Sequence, residues 1–303
     1  MADFKFSSYI SIHTSTDSDA SASAFNLFDE DNYSSFAATT VSSPDITFTS
    51  SNGRITFAET GMYLVVLDVP ATVSAQTGVA AQIKVNGSAV YTSKYLFGIN
   101  DADPFNYSFQ TLVNITAGDY LEALIVTSDT DTATAENGTS MVLIRANNDY
   151  GSVTYTADAN AAGSGPAEFT LFDSDNGGTV KSTLNNVGFT ASTGLLTPDN
   201  TRMFLILSSL NASIGTNGQV THKIYVNGSS VDDLPGRIGS YSPIELTYGF
   251  LKSLTGGQTT SARAIGAGTV TIGKGSTFTL LDVTNNNGTK DPQAFLSFTV
   301  DAD

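Results

Sequence analysis

Short runs rich in Val, Ile, Thr, Phe and Tyr recur along the whole chain between clusters of Gly, Asn, Asp and Ser. SYISIHT, AFNLF, ITFTS, RITFA and MYLVVLDV follow one another, then AAQIKVNGSAVYTS, YSFQTLVNI, YLEALIV and SMVLIRA. Side chains of a strand alternate between its two faces, so runs of this length and spacing predict an antiparallel β-sandwich. AQIKV-NG-SAVYT reads as a hairpin, because Asn-Gly suits the two positive φ angles of a tight type I′ turn. HKIYV-NG-SSV repeats it. No stretch carries a sustained helical period with caps, and the chain is expected to be all-β.

Two of the strands break the simple pattern. In MYLVVLDV one face carries Met62, Leu64 and Val66, and the other Tyr63, Val65, Leu67 and Val69. In MFLIL, Met203, Leu205 and Leu207 alternate with Phe204 and Ile206. The last run, AFLSFTV, sets Ala294, Leu296, Phe298 and Val300 against Phe295. A sandwich strand normally shows one face to water. Burying a large apolar side chain is worth ~1.5–3 kcal/mol, so both faces here need cover. One face fills the sandwich. For the other, a neighbouring subunit is the expected cover, with the sister part of the chain or long loops as the alternative. Tyr63, Val65, Leu67, Phe204 and Ile206 are therefore assigned to an oligomer interface or to the core.

The two strands belong to two copies of one unit. Phe48 matches Phe189, Gly53 Gly194, Thr56 Thr197, Thr60 Thr201 and Met62 Met203, each pair separated by 141 positions (189 − 48). Asn86-Gly87-Ser88 and Asn227-Gly228-Ser229 keep that offset, and FNLFDED (25–31) matches FTLFDSD (169–175) at 144 (169 − 25). A period this long exceeds the ~20–50 residues of solenoid repeats, so each copy should be a domain: 1–148 and 149–303. Ala117-Gly118-Asp119 is best matched by Lys274-Gly275-Ser276 (274 − 117 = 157, against 141), which implies about 16 extra residues near 241–268 in the second copy. The junction lacks a long Gly/Ser or Pro run, so the copies should sit close together.

Charge and composition narrow the function. The net charge of −16, from 13 basic and 29 acidic residues, would repel phosphates, which argues against nucleic-acid binding. The absence of cysteine removes disulfides, zinc-thiolate sites and cysteine nucleophiles. The apolar runs are too short to cross a bilayer as helices, and MADFKFSSYISIHT lacks the pattern of a secretory signal. Synthesis in a cytoplasm is expected. The two histidines, His13 and His222, lie at alternating positions of strands and are read as surface residues, so no catalytic residue is assigned. Asp29 and Asp31, with Asp173 and Asp175 at the equivalent place, are weak calcium candidates, as is the Asp129–Asp131 run; Asp and Asn are also ordinary turn residues. No cofactor is expected. Asn-Gly-Ser/Thr at 86, 137, 227 and 287 formally fits a glycosylation acceptor, but turns explain these tripeptides better.

Phe57-Ala-Glu-Thr-Gly61-Met62-Tyr63, leading into a central strand, resembles the C1q/TNF-like jelly roll. Ala117-Gly118-Asp119-Tyr120 before Leu121–Val126 is similar to that family's late turn and strand, and Asn137–Ile144 to its closing strand. The second copy departs at Arg202 for Gly61, Phe204 for Tyr63 and Ala294 for the closing serine. The resemblance implies two tandem antiparallel jelly-roll sandwiches and a homotrimer, here in two stacked tiers. With the acidic, cysteine-free composition, it leads to the expectation of a non-enzymatic structural protein of a bacteriophage virion. Such a head decoration, knob or fibre subunit would be made in the host cytoplasm and would contact other virion proteins. The alternative is a C1q-like lectin or adhesin for host-surface glycans. A carbohydrate-active enzyme would need paired carboxylates lining a cleft.

Overall fold

In the computed structural model, which describes residues 8–18, 24–33, 35–42, 44–73, 78–92, 96–97, 105–128, 132–146, 149–214, 219–231 and 244–283, strands account for nearly all regular structure. The first copy runs β1 (Tyr9–Thr14), β2 (Ala24–Asn26), β3 (Ala38–Ser42), β4 (Ile46–Thr49), β5 (Arg54–Phe57) and β6 (Gly61–Val73). It continues with β7 (Gly78–Val85), β8 (Ser88–Thr92), β9 (Leu96–Phe97), β10 (Phe105–Ile115), β11 (Tyr120–Thr127), β12 (Ala133–Ala135) and β13 (Ser140–Arg145). The second copy comprises β14 (Tyr150–Tyr155), β15 (Ala159–Thr170), β16 (Val180–Asn185), β17 (Val187–Thr190), β18 (Leu195–Pro198) and β19 (Arg202–Ile214). It ends with β20 (Gln219–Val226), β21 (Ser229–Ser230), β22 (Ile244–Leu254), β23 (Thr260–Ile272) and β24 (Thr277–Asp282).

Copy one is two antiparallel sheets, β10-β6-β13-β1-β3 and β4-β5-β11-β7-β8, with the chain crossing between them as in a jelly roll. In copy two the same pairings recur: β19 takes the place of β6, β24 that of β13, β14 that of β1 and β16 that of β3. There the sheets join, because β23 runs unbroken and pairs with β19 at one end and with β15 and β20 along its length. In copy one that path is divided between β11 and β12. The Asp129–Asp131 run lies outside the described residues, as do the AFLSFTV run and Asn287.

The Asn-Gly hairpins form as the sequence predicts. Asn86 and Gly87 have φ of 50° and 77°, Asn227 and Gly228 of 49° and 77°. Each loop joins directly paired residues, Val85 with Ser88 and Val226 with Ser229. These left-handed angles tighten a two-residue turn to the twist of its strands.

One sequence alignment is corrected. The true counterpart of the Thr116–Asp119 turn is Thr255–Gln258, between β22 and β23. Thr116 N–H donates to Asp119 and Ala117 N–H to Thr60; Thr255 N–H donates to Gln258 and Gly256 N–H to Thr201. Lys274-Gly275 instead enters the closing strand, as Asn137-Gly138 does. No inserted stretch is required between 241 and 268. The two turns share a local form, since Gly118 and Gly275 both have φ of 91°.

Each copy has its own interior. Tyr63, Val65, Leu67 and Val69 of β6 pack with Ile10, Ile12, Ile55, Val113, Ile125 and Leu143. Phe204, Ile206 and Leu210 of β19 pack with Val153, Phe172, Leu196, Val270, Phe278 and Leu280.

Candidate functional site

The second faces of β6 and β19 meet each other. Leu64, Val66 and Ile144 of copy one close against Leu205, Leu207, Leu281 and Val283 of copy two, all buried. The cover expected from a neighbouring subunit thus comes from the sister copy. Hydrophobic cover is non-directional, and a tethered sister face is always at hand to supply it. The residues assigned to interface or core, Tyr63, Val65, Leu67, Phe204 and Ile206, all lie on the opposite, inward faces and are fully buried within their own sandwiches.

Around this seam Leu112, Val142, Ala146, Tyr150, Met203 and Leu251 are half-buried. Its other end is polar. Thr277 Oγ1 donates to the Gln110 carbonyl across the seam at 3.3 Å, and the Tyr91 hydroxyl donates to the Gly275 carbonyl at 3.2 Å. Gln110 is fully buried, and its side-chain amide has no hydrogen-bond partner among the described residues. Position 249, its counterpart beside Leu207, is glycine, where a β-carbon would overlap the Leu207 side chain. Gln110 beside Val66 and Gly249 beside Leu207 fill the two sides of the seam with opposite distributions of bulk.

The acidic turns hold themselves. Asp29 caps a 3-10 turn, Glu30–Asn32, by accepting from Asp31 N–H at 3.2 Å; Asp173 caps Ser174–Asn176 by accepting from Asp175 N–H at 3.0 Å. Asn32 Nδ2 donates to the Asn26 carbonyl and Asn176 Nδ2 to that of Thr170, closing each turn onto the preceding strand. Burial pushes the Asp29 carboxyl above its ordinary range; the Asp31 N–H opposes this, and the neighbouring charges of Asp31, Glu30 and Glu122 add to it. Asp31 and Asp175 are exposed. Among the described residues no group of three His, Asp or Glu side chains is placed to hold a metal ion.

His13 is exposed, but His222 is not a surface residue. It is 3% exposed in the interior of copy two, with Nε2 3.0 Å from Ser208 Oγ. Ser208 Oγ also lies 3.4 Å from the Thr277 carbonyl. The signal was present in the sequence: His222 is in phase with the buried Val220, Ile224 and Val226, and Ser208 with Phe204, Ile206 and Leu210. The matching positions in copy one are Leu67 and Ala81, an apolar pair. A serine and an imidazole within hydrogen-bond reach are the parts of a nucleophile–base pair. Enclosed between sheets, with Ser208 fully buried, they lack the access that a substrate needs.

No family model matches the chain, and no curated protein does. Solved structures with which it overlaps include the Eiger TNF of S. frugiperda (14% identity, 46% of this chain and 92% of that one, TM-score 0.32). Murine APRIL at pH 5.0 overlaps at 10% identity, 46% of this chain and 98% of that one, with a TM-score of 0.33. Rabbit GITRL overlaps at 17% identity, 42% and 93%, with a TM-score of 0.26. The strand order itself makes the chain a pair of antiparallel jelly rolls.

Proposed function

We propose that the chain is a non-enzymatic structural subunit of a bacteriophage virion, a head decoration, knob or fibre protein that assembles as a trimer. The observation that carries this reading is the seam. Two sandwiches with separate interiors are joined through fully buried sheet faces, which makes a stiff two-part block suited to building a particle. The half-buried apolar rim, and Leu184, 38% exposed on the edge strand β16, supply surface for contacts with further copies. The absence of cysteine and the strongly acidic composition suit a soluble subunit made in a reducing cytoplasm. The Ser208–His222 pair is sealed in an interior, which supports the non-enzymatic part of the reading.

Absolute mass by light scattering over a range of concentrations tests it. The expected value is three times the 31.6 kDa chain, unchanged by a chelator. A monomer at every concentration removes the trimer, and loss of the trimer on chelation makes a bound cation part of the assembly.

A further inference from the structure

The two hairpin tips form a matched pair. Both read Val-Asn-Gly-Ser (85–88 and 226–229), and both have the same left-handed Asn and Gly angles. In each, the Asn side-chain oxygen accepts a backbone N–H from the strand alongside, Tyr120 at 3.1 Å or Thr259 at 3.0 Å. They differ at the carboxamide nitrogen. Asn86 Nδ2 donates to the Asp119 carboxylate at 2.7 Å. At the equivalent place copy two has Gln258, whose side-chain oxygen accepts from Thr255 N–H, and Asn227 Nδ2 has no partner among the described residues. Both Asn residues are exposed, as are Gly87 and Gly228, whose N–H groups carry no hydrogen bond among the described residues.

We infer that Asn227-Gly228 is a site of spontaneous covalent modification, a deamidation that the Asp119 clamp suppresses at Asn86. The Gly228 backbone nitrogen attacks Asn227 Cγ, so a N–Cγ bond forms, the Cγ–Nδ2 bond breaks and ammonia departs with the amide proton. Water then opens the resulting succinimide at either carbonyl, giving aspartate or isoaspartate; one water is consumed, one ammonia is released and nothing is oxidised. Attack requires the carboxamide to rotate out of its bonds. At Asn86 that rotation breaks a bond to a charged acceptor, the stronger kind. At Asn227 it breaks bonds to neutral donors only, the Thr259 N–H at 3.0 Å and the Thr259 hydroxyl at 3.5 Å. The other three described Asn-Gly pairs, at 52, 137 and 176, are held differently, since the nucleophile in each already donates: Gly53 N–H to the Ser50 carbonyl at 3.2 Å, Gly138 N–H to that of Thr14 at 3.1 Å and Gly177 N–H to that of Ser174 at 3.1 Å.

The experiment incubates the intact chain at mildly alkaline pH and follows each Asn-Gly peptide by mass spectrometry, beside a denatured sample. The identical tetrapeptides should react at equal rates when unfolded. In the folded chain Asn227 should react roughly tenfold faster than Asn86, a factor equal to ~1.4 kcal/mol of barrier. Asp119→Gln, which installs the copy-two residue, should raise Asn86 to the rate of Asn227, and Gln258→Asp should slow Asn227. Equal rates in the folded chain, or a native Asn227 that stays intact while the denatured chain reacts, would overturn the inference. Should Asp119→Gln fail to fold, Gln258→Asp decides alone.

Discussion

At the same end of each sandwich the two copies build a polar cluster from opposite sides. In copy one the arginine stands on the closing strand: Arg145 pairs with Glu59 and donates to the Thr60 carbonyl at 2.9 Å. It lies over Gly61, where a β-carbon would sit 2.8 Å from Arg145 Nε. In copy two the arginine stands on the central strand, where Arg202 replaces Gly61, and the closing-strand position of Arg145 is Asp282. Arg202 Nε lies 3.7 Å from both Asp282 and Asp149. The neighbours are exchanged in step. Ser8 donates to Asp45 at 2.9 Å in copy one; in copy two the carboxylate is Asp149, and Asn186, in the place of Asp45, donates to it at 2.9 Å. Asn200, in the place of Glu59, donates to the other Asp149 oxygen at 3.0 Å. Each cluster holds two acids and one base. The fold therefore fixes the need for a compensated charge cluster at this corner, and leaves open which strand supplies the cation. Seen singly, Arg202 for Gly61 looks disruptive; it is one half of an exchange.

The seam is where the copies depend on each other, so the largest expected effect lies there. Leu64→Asp and Leu205→Asp place an unpaired charge among buried side chains at matched positions, and each should cost ~3–5 kcal/mol or prevent folding. Equal losses of melting temperature would show one shared interface. A variant as stable as the parent would mean that the seam does not close in solution. The next effect separates the corner clusters. Arg202→Ala leaves Asp149 and Asp282, with side chains only 2% and 6% exposed, without their cation, and should cost about 2–3 kcal/mol in denaturant unfolding. Arg145→Ala leaves Glu59, which is 47% exposed, and should cost under ~1 kcal/mol. The double variant Arg202→Gly/Asp282→Arg moves the cation to the closing strand, where copy one carries it, beside Asp149, and should recover part of the loss.

The smallest effect is acid sensitivity. The Glu168 carboxyl is held below its ordinary range by the Tyr225 side chain first, with Arg263 adding to it; that of Asp119 is held low by the Thr116 N–H and then by Asn86. A depressed carboxylate stabilises the fold above the unfolded-state value of ~3.9–4.3 and loses that contribution as pH falls through the folded value. Glu168→Gln and Asp119→Asn should therefore flatten the decline of melting temperature between about pH 5 and pH 3. The Glu168 part should be at most ~0.5 kcal/mol, since that side chain is 37% exposed. A steeper decline in either variant would reverse the assigned sign.

Local signals in the sequence determined the strands, the Asn-Gly hairpins, the duplication and the presence of two apolar faces on β6 and β19, because alternation and turn chemistry act over a few residues. The phase of His222 with its buried neighbours Val220, Ile224 and Val226 is equally legible in the sequence. The tertiary structure decided what covers the second faces. A face such as Leu64-Val66 shows how much area must leave water, and nothing in a non-directional force names the partner. The same holds for the corner cluster and for the two turns with matching glycines. Which Arg meets which Asp, and which Gly ends which strand, depends on residues far apart in the chain whose approach is set by the packing of whole sheets.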